Sequence, residues 1–189
     1  MGLDMYLTKR TYVGAEYKHR NVTGICEIFA DGKKLNIDFN KISYIEERAG
    51  YWRKANQVHR WFVANVQDGE DDCKDYDVSE AQLIDLLNIC EQIKKECPLI
   101  DGNVRNGQIA TKETGGKFVD VIEQGKLMKN SHVAAKLLPS ASGFFFGSTD
   151  YDQYYIDDID NTIEIISELL KAKGTEKYLP FEVSYRASW

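Results

Sequence analysis

Residues 51–62, YWRKANQVHRWF, interleave aromatic rings with Arg, Asn and His at spacings that would let them act together. Trp52, Asn56 and His59 stand at i, i+4 and i+7, so a helix through them would carry an indole, an amide and an imidazole on one face. A purely apolar stripe has little use for Asn or His. If that face looks into a cleft, the three groups suit a nucleobase or another planar ring, with Arg53 or Arg60 free to meet a phosphate or carboxylate. Otherwise Asn56 and His59 are satisfied polar groups at the edge of the core.

A second dense segment, PSASGFFFGSTDYDQYY, covers residues 139–155. Small hydroxyl residues Ser140, Ser142, Ser148 and Thr149 bracket three phenylalanines, among them Phe145, and Tyr151, Tyr154 and Tyr155 follow. Gly143 and Gly147 flank a possible short buried strand and would let a ligand or another backbone approach closely. Ser148 or Asp150 would equally serve to start the loop before a helix.

Several activities are set aside by pattern. The acidic run DGEDDCKDYD at 68–77 has the charge for a hard cation but no frame with the oxygen, Gly and Glu spacing of a calcium loop, which favours a solvated interhelical connection. No G-x-S-x-G elbow, H-E-x-x-H, phosphate-loop lysine or G-x-G-x-x-G motif occurs. A hydrolase or transferase would have to be built on His59, the one histidine expected in a well-ordered segment. Cys26, Cys73, Cys90 and Cys97 match neither a zinc pattern nor a disulfide scaffold, and Cys73 lies among aspartates rather than in the electropositive setting a thiolate needs. No catalytic residue, metal site or cofactor is expected.

The formal charge of −6 argues against a protein that coats DNA or RNA, whose affinity comes from neutralising phosphates with Lys and Arg, although a small anion needs only a few local donors. No apolar run is long enough to cross a bilayer and the start shows no secretory pattern, so a soluble cytoplasmic protein without a membrane partner is expected. The 189 residues fit a single domain, 1–189.

The elements that must position these residues follow from periodicity. Leu3, Met5 and Leu7 alternate with polar neighbours at one end, and Phe181, Val183 and Tyr185 do so after Pro180 at the other, so both termini should enter one sheet. Asp31-Gly32 between two β-prone runs predicts a type I′ hairpin, and residues 42–46 could extend the sheet. Helices are predicted at 52–66, with Gln57 turned away from the core, at 80–97 behind a Ser79 capping box and ahead of Pro98, and at 156–173 with Gly174 as a left-handed cap. A short helix is expected over 127–138. Residues 101–125, with glycines at 102, 107, 115 and 116, read as a mobile insertion or small hairpin. The fold class is α+β, with an antiparallel or mixed sheet covered by about three helices.

The start GLDMYL, the segment from Tyr51 to Cys73, the stretch LLPSASGFFFGSTDYDQYY and the end YRASW together resemble a widespread family of uncharacterised bacteriophage and prophage proteins. The resemblance covers most of the chain apart from about 101–125 and transfers no activity or site residue. It implies a setting in an infected bacterial cell and raises the expectation of a counter-defence factor. Such a protein would sequester a small nucleotide-derived immune signal, or present its acidic surface to a host defence protein as an inhibitor. The exposed apolar excess expected of Phe144–Phe146 and the tyrosines points to a homo-oligomer.

Overall fold

The computed structural model describes residues 2–14, 22–110, 115–143, 146–176 and 179–189. The alternation at the two termini places them side by side in one sheet. Strand β1 (Asp4–Tyr12) runs antiparallel to the last strand, β8 (Phe181–Ser188), with Met5 opposite Ala187 and Leu7 opposite Tyr185. These side chains, with Phe181 and Val183, are buried, whereas Glu182 and Arg186 on the opposite face are exposed.

Two more strands complete the sheet in the order β4-β1-β8-β5, every pair antiparallel. The expected extension at 42–46 is the beginning of a much longer strand, β4 (Tyr44–Arg53), and β5 (Tyr76–Asp77) is a two-residue edge that periodicity could not register. Separately, β2 (Phe29–Ala30) and β3 (Lys33–Lys34) form the Asp31-Gly32 hairpin, with φ of 49° and 73° at the turn as a type I′ connection requires.

Helices α1 (Asn56–Asn65), α2 (Glu80–Glu96) and α4 (Gln153–Thr175) share one buried cluster with the inner face of the sheet. The Ser79 capping box starts α2, whose Leu83, Leu86, Cys90 and Ile93 are buried. Burial pushes the Cys90 thiol up to about 12, consistent with its role as a small apolar group. Helix α4 begins three residues earlier than periodicity suggests, because Asp152 accepts hydrogen bonds from the Tyr154 and Tyr155 amides. Gly174 lies inside its last turn and is not a left-handed cap.

One expectation changes outright. Trp52 is not on a helix. It is the penultimate residue of β4, only 1% exposed, and its indole N–H donates to Thr162 Oγ1 of α4 at 2.9 Å. For residues 101–125 the hairpin reading holds on a larger scale: β6 (Leu99–Ala110) and β7 (Phe118–Met128) make a long antiparallel ribbon. Leu127 and Met128 belong to that ribbon, which leaves α3 (Ser131–Leu137) shorter than its expected range.

Close approach of α4 to the sheet depends on Gly50, where a Cβ would come within 2.6 Å of Ile165 Cγ2 and 3.3 Å of Leu7 Cβ. Gly50→Ala should therefore lower stability by about 1–3 kcal/mol, read as a lower denaturation midpoint in urea at unchanged slope.

Candidate ligand-binding cleft

A cleft of about 680 Å³ opens where the end of β4, the start of α1, the β6 bulge, the loop before α4 and the first turns of α4 converge. Its volume suits a small-molecule ligand. Three local features of the chain build it. The first is the junction between β4 and α1. Lys54 there adopts a left-handed backbone, φ 64°, while its amide donates to the Leu3 carbonyl at 2.8 Å. That reversal turns the chain from strand to helix within two residues and leaves the Arg53 and Lys54 side chains exposed on the rim.

The second is Asn56, the first residue of α1. Its Nδ2 donates to the Phe146 and Ser148 carbonyls at 2.9 and 2.7 Å, and its Oδ1 accepts from the Ala141 amide at 2.8 Å. The amide is thereby fully used in holding the 141–148 segment against α1, and that segment is an irregular loop over its described residues rather than a strand. Gly147, φ 88°, lies so close that a Cβ would sit 3.0 Å from Lys54 Cβ and 3.3 Å from its carbonyl oxygen. Only glycine satisfies both the backbone angle and the contact.

The third is the ribbon. A bulge between Arg105 and Gln108, with Gly107 at φ 83°, turns Arg105 toward the loop, where it donates to Asp150 Oδ2 at 2.9 Å and to Ser148 Oγ at 3.3 Å. Gln153 and Tyr154, at the start of α4, grip the other strand: Gln153 Oε1 accepts from the Lys126 amide at 2.8 Å and the Tyr154 hydroxyl donates to Glu123 at 2.8 Å. The ribbon thus closes one side of the cleft.

Charge is distributed by depth. Asp152, 2% exposed, and the mostly buried Asp158 form the floor with Gln57, whose Nε2 donates to Asp158 Oδ2 at 2.9 Å. Burial pushes the Asp158 carboxyl up to about 6, against the opposing effect of the Gln57 donor. Burial also raises Asp152 above the usual carboxylate range, against donation from the Tyr155 and Tyr154 amides. Gln57 is therefore buried and inward, contrary to its expected position on the outer face of α1.

Of the expected site residues, Arg53, Ser148, Tyr154 and Tyr155 border this cleft. Tyr155 is largely occupied elsewhere, its hydroxyl donating to the Leu138 carbonyl at 2.7 Å. Thr149 and Tyr151 face a shallower hollow on the other side of Asp150. Arg60 lies apart, near the Ser140 carbonyl, and Ser142 is exposed on the loop without bordering the cleft. Phe144 and Phe145 fall outside the described residues. The neighbouring Phe146 packs edge-on to His59 rather than presenting a sticky surface. Among the described residues the most exposed large apolar side chains sit elsewhere, at Ile25 and Phe29 around the β2–β3 hairpin and at Phe118, Ile122 and Ile109 on the ribbon.

Trp52 and His59 are corrections. Trp52 is committed to the core and offers no stacking face. His59, 2% exposed, has Nδ1 at 2.8 Å from the Tyr185 hydroxyl and Nε2 at 3.1 Å from Asp71 Oδ2. Tyr185 is fully buried, stacked on Phe62 at 3.8 Å, and burial holds its phenol well above the usual range. In the tautomer with the proton on Nε2, that nitrogen donates to Asp71 and Nδ1 accepts from the phenol. The imidazole ties α1 to β8 and to the acidic loop, where Asp72 accepts from the Lys74 amide and the Tyr76 hydroxyl. Among the described residues no group of three or more His, Cys, Asp or Glu could hold a metal ion, and no helix is long and apolar enough to cross a membrane.

Comparison with protein-family models, curated proteins and solved structures returns no match.

The cleft residues not expected from the sequence include Lys54, Gln57, Arg105, Asp152, Asp157 and Asp158. A readable signal existed for Asp152, an Asp placed to cap a helix. The others depend on the turn at Lys54 and on the ribbon folding back.

Three outcomes are expected. His59→Ala should cost about 2–4 kcal/mol in chemical denaturation, since it leaves the Tyr185 hydroxyl without an acceptor and opens a cavity. Lys54→Gly should stabilise the fold by up to about 1 kcal/mol by relieving the left-handed backbone, whereas Gly147→Ala should destabilise it. Because the Asp158 pKa is raised on folding, its contribution is fully present at low pH and is lost as pH rises through about 6. Asp158→Asn should accordingly be more stable than the parent by about 1–3 kcal/mol at pH 8, with the gap closing toward pH 4.

Proposed function

We propose that the protein binds a small nucleotide-like ligand in this cleft and holds it without turnover. The observation that carries the reading is the cleft's polarity: Arg53 and Lys54 stand on an exposed rim above a buried floor of Asp152, Asp158 and Gln57. Lys54 makes no ion pair among the described residues, and Arg53 reaches Asp4 only at 3.9 Å. Both are therefore available to a phosphate, whereas Arg105 is occupied by Asp150. Tyr154, partly exposed on the same border, offers the ring face that Trp52 does not. The cleft lining contains no His or Cys, which favours retention over covalent chemistry.

In the setting that the phage resemblance implies, such a protein would act as a counter-defence factor sequestering a nucleotide-derived immune signal. A second reading rests on Asp158. A carboxyl titrating at about 6 beside Asp152 is suited to general acid-base work, so turnover, if there is any, belongs to this pair and not to His59.

Purified protein incubated with mononucleotides, cyclic di- and oligonucleotides and ADP-ribose derivatives tests both. Sequestration expects a rise in melting temperature with one class and recovery of that ligand intact by mass spectrometry after heating. Lys54→Gly should weaken binding roughly tenfold, as for the loss of one charge-assisted hydrogen bond. Recovery of altered ligand, abolished by Asp158→Asn, would establish turnover instead. No shift with any small molecule, together with salt-sensitive capture of a basic host protein, would move the function to an acidic protein-binding surface.

A further inference from the structure

Among the described residues lining the cleft, Asp152 has a buried side-chain oxygen without a hydrogen-bond partner. Its Oδ1 caps α4 by accepting from the Tyr154 and Tyr155 amides at 2.9 and 3.3 Å. Its Oδ2 is buried and has no partner among the described residues. An acceptor of that kind, taken out of water and left unmatched, is costly unless something donates to it. The backbone cannot withdraw it, because Asp152 is pinned by a bridge to Leu127 and by the Met128 amide donating to the Tyr151 carbonyl. Asp152 lines both the main cleft and the shallower hollow beside it, so its carboxyl belongs to the partition between them, and it shares the lining of the main cleft with Asp158 and Gln57.

Its surroundings define what would match it. Asp158 adds acceptors on the next turn of the helix, with the exposed Asp157 beside it, and one of the two side-chain N–H groups of Gln57 is already given to Asp158. The floor is therefore rich in acceptors and poor in free donors, while the free cations, Arg53 and Lys54, are confined to the rim. Metal coordination does not fit, since no ligating group of three or more exists among the described residues. The matching ligand carries neighbouring N–H donors at one end and an anion at the other.

We infer that the cleft selects a nucleotide whose base presents adjacent N–H donors, of the guanine type, with that edge toward the Asp152 and Asp158 carboxyl groups and its phosphate at Lys54 and Arg53. The inference rests on the nucleotide-binding reading above and adds base selectivity to it. Guanine brings a ring N–H and an exocyclic amine side by side. Hypoxanthine lacks the amine, and adenine presents a ring acceptor that would face the carboxylates.

The test is calorimetric titration of the full chain at pH 7.5 with GMP, IMP and AMP as the probes. Expected is binding of GMP at least tenfold tighter than IMP and tighter still than AMP. Asp152→Asn keeps an N-cap for α4 and should bring GMP and IMP to within about threefold of each other, with helicity unchanged by circular dichroism. Asp158→Asn should reduce the same preference without disturbing the cap. Equal binding of the three nucleotides, or a preference for GMP that survives both substitutions, overturns the base selectivity while leaving nucleotide binding intact. Failure of all three to bind overturns both.

Discussion

The side-chain amide of Asn56 is the constraint on which the cleft depends. It makes three hydrogen bonds to the backbone of the 141–148 segment, two as donor and one as acceptor, from a position that is almost wholly buried. A loop of small and hydroxyl residues has no periodic hydrogen bonding of its own, so its carbonyls and amides must be satisfied by something outside it. Asn56 provides that from the first turn of α1, and the loop then stands at a fixed distance from Lys54. Gly147 fits this gap because it has no Cβ, and Arg105 closes the far side by pairing with Asp150 and Ser148. Removing the amide would release a wall of the cleft as well as a contact.

The sheet and helices set the boundary conditions. Trp52, Phe62, Tyr185 and the inner faces of α2 and α4 form one packed cluster, and the Trp52 indole is bonded to Thr162 within it. This anchors the end of β4 so firmly against α4 that the next residues must turn sharply, and Lys54 takes the left-handed conformation that results. A non-glycine residue held at positive φ is under mild strain, and such strain persists where surrounding packing overdetermines it. Here it holds a cation on the rim of a cleft whose floor is acidic. The opposition of charge between rim and floor gives the cleft a direction, with anions favoured outside and donors inside.

His59 illustrates how a residue type suggestive of chemistry can be structural. Both ring nitrogens are engaged, one with the phenol of a fully buried tyrosine and one with a carboxylate of the acidic loop. The same acidic loop, which by density alone suggests a cation site, instead uses Asp71 and Asp72 to tie its own turn to α1 and to Lys74 and Tyr76. Buried polar groups of this kind are expected to be satisfied, and these are.

Period-two alternation at residues 3–7 and 181–185, the Asp31-Gly32 turn and the Ser79 capping box are local signals with local causes, and the sequence by itself determined the α+β class and the elements they specify. It also singled out residues 51–62 and 139–155 as candidate binding segments, because each embeds polar groups among aromatics, but not that the two meet. It could not say which side of each segment faces the cleft. That was decided by where strand gives way to helix: with β4 running through Arg53 and α1 starting only at Asn56 after the turn at Lys54, Trp52 and His59 each point into the core and Arg53, Lys54 and Gln57 come round to the opening. The acidic floor and Arg105 come from α4 and from a ribbon some fifty residues before it, and only tertiary packing brings them to Lys54. Helical periodicity reports which residues share a face, but burial of that face is settled by what packs against it.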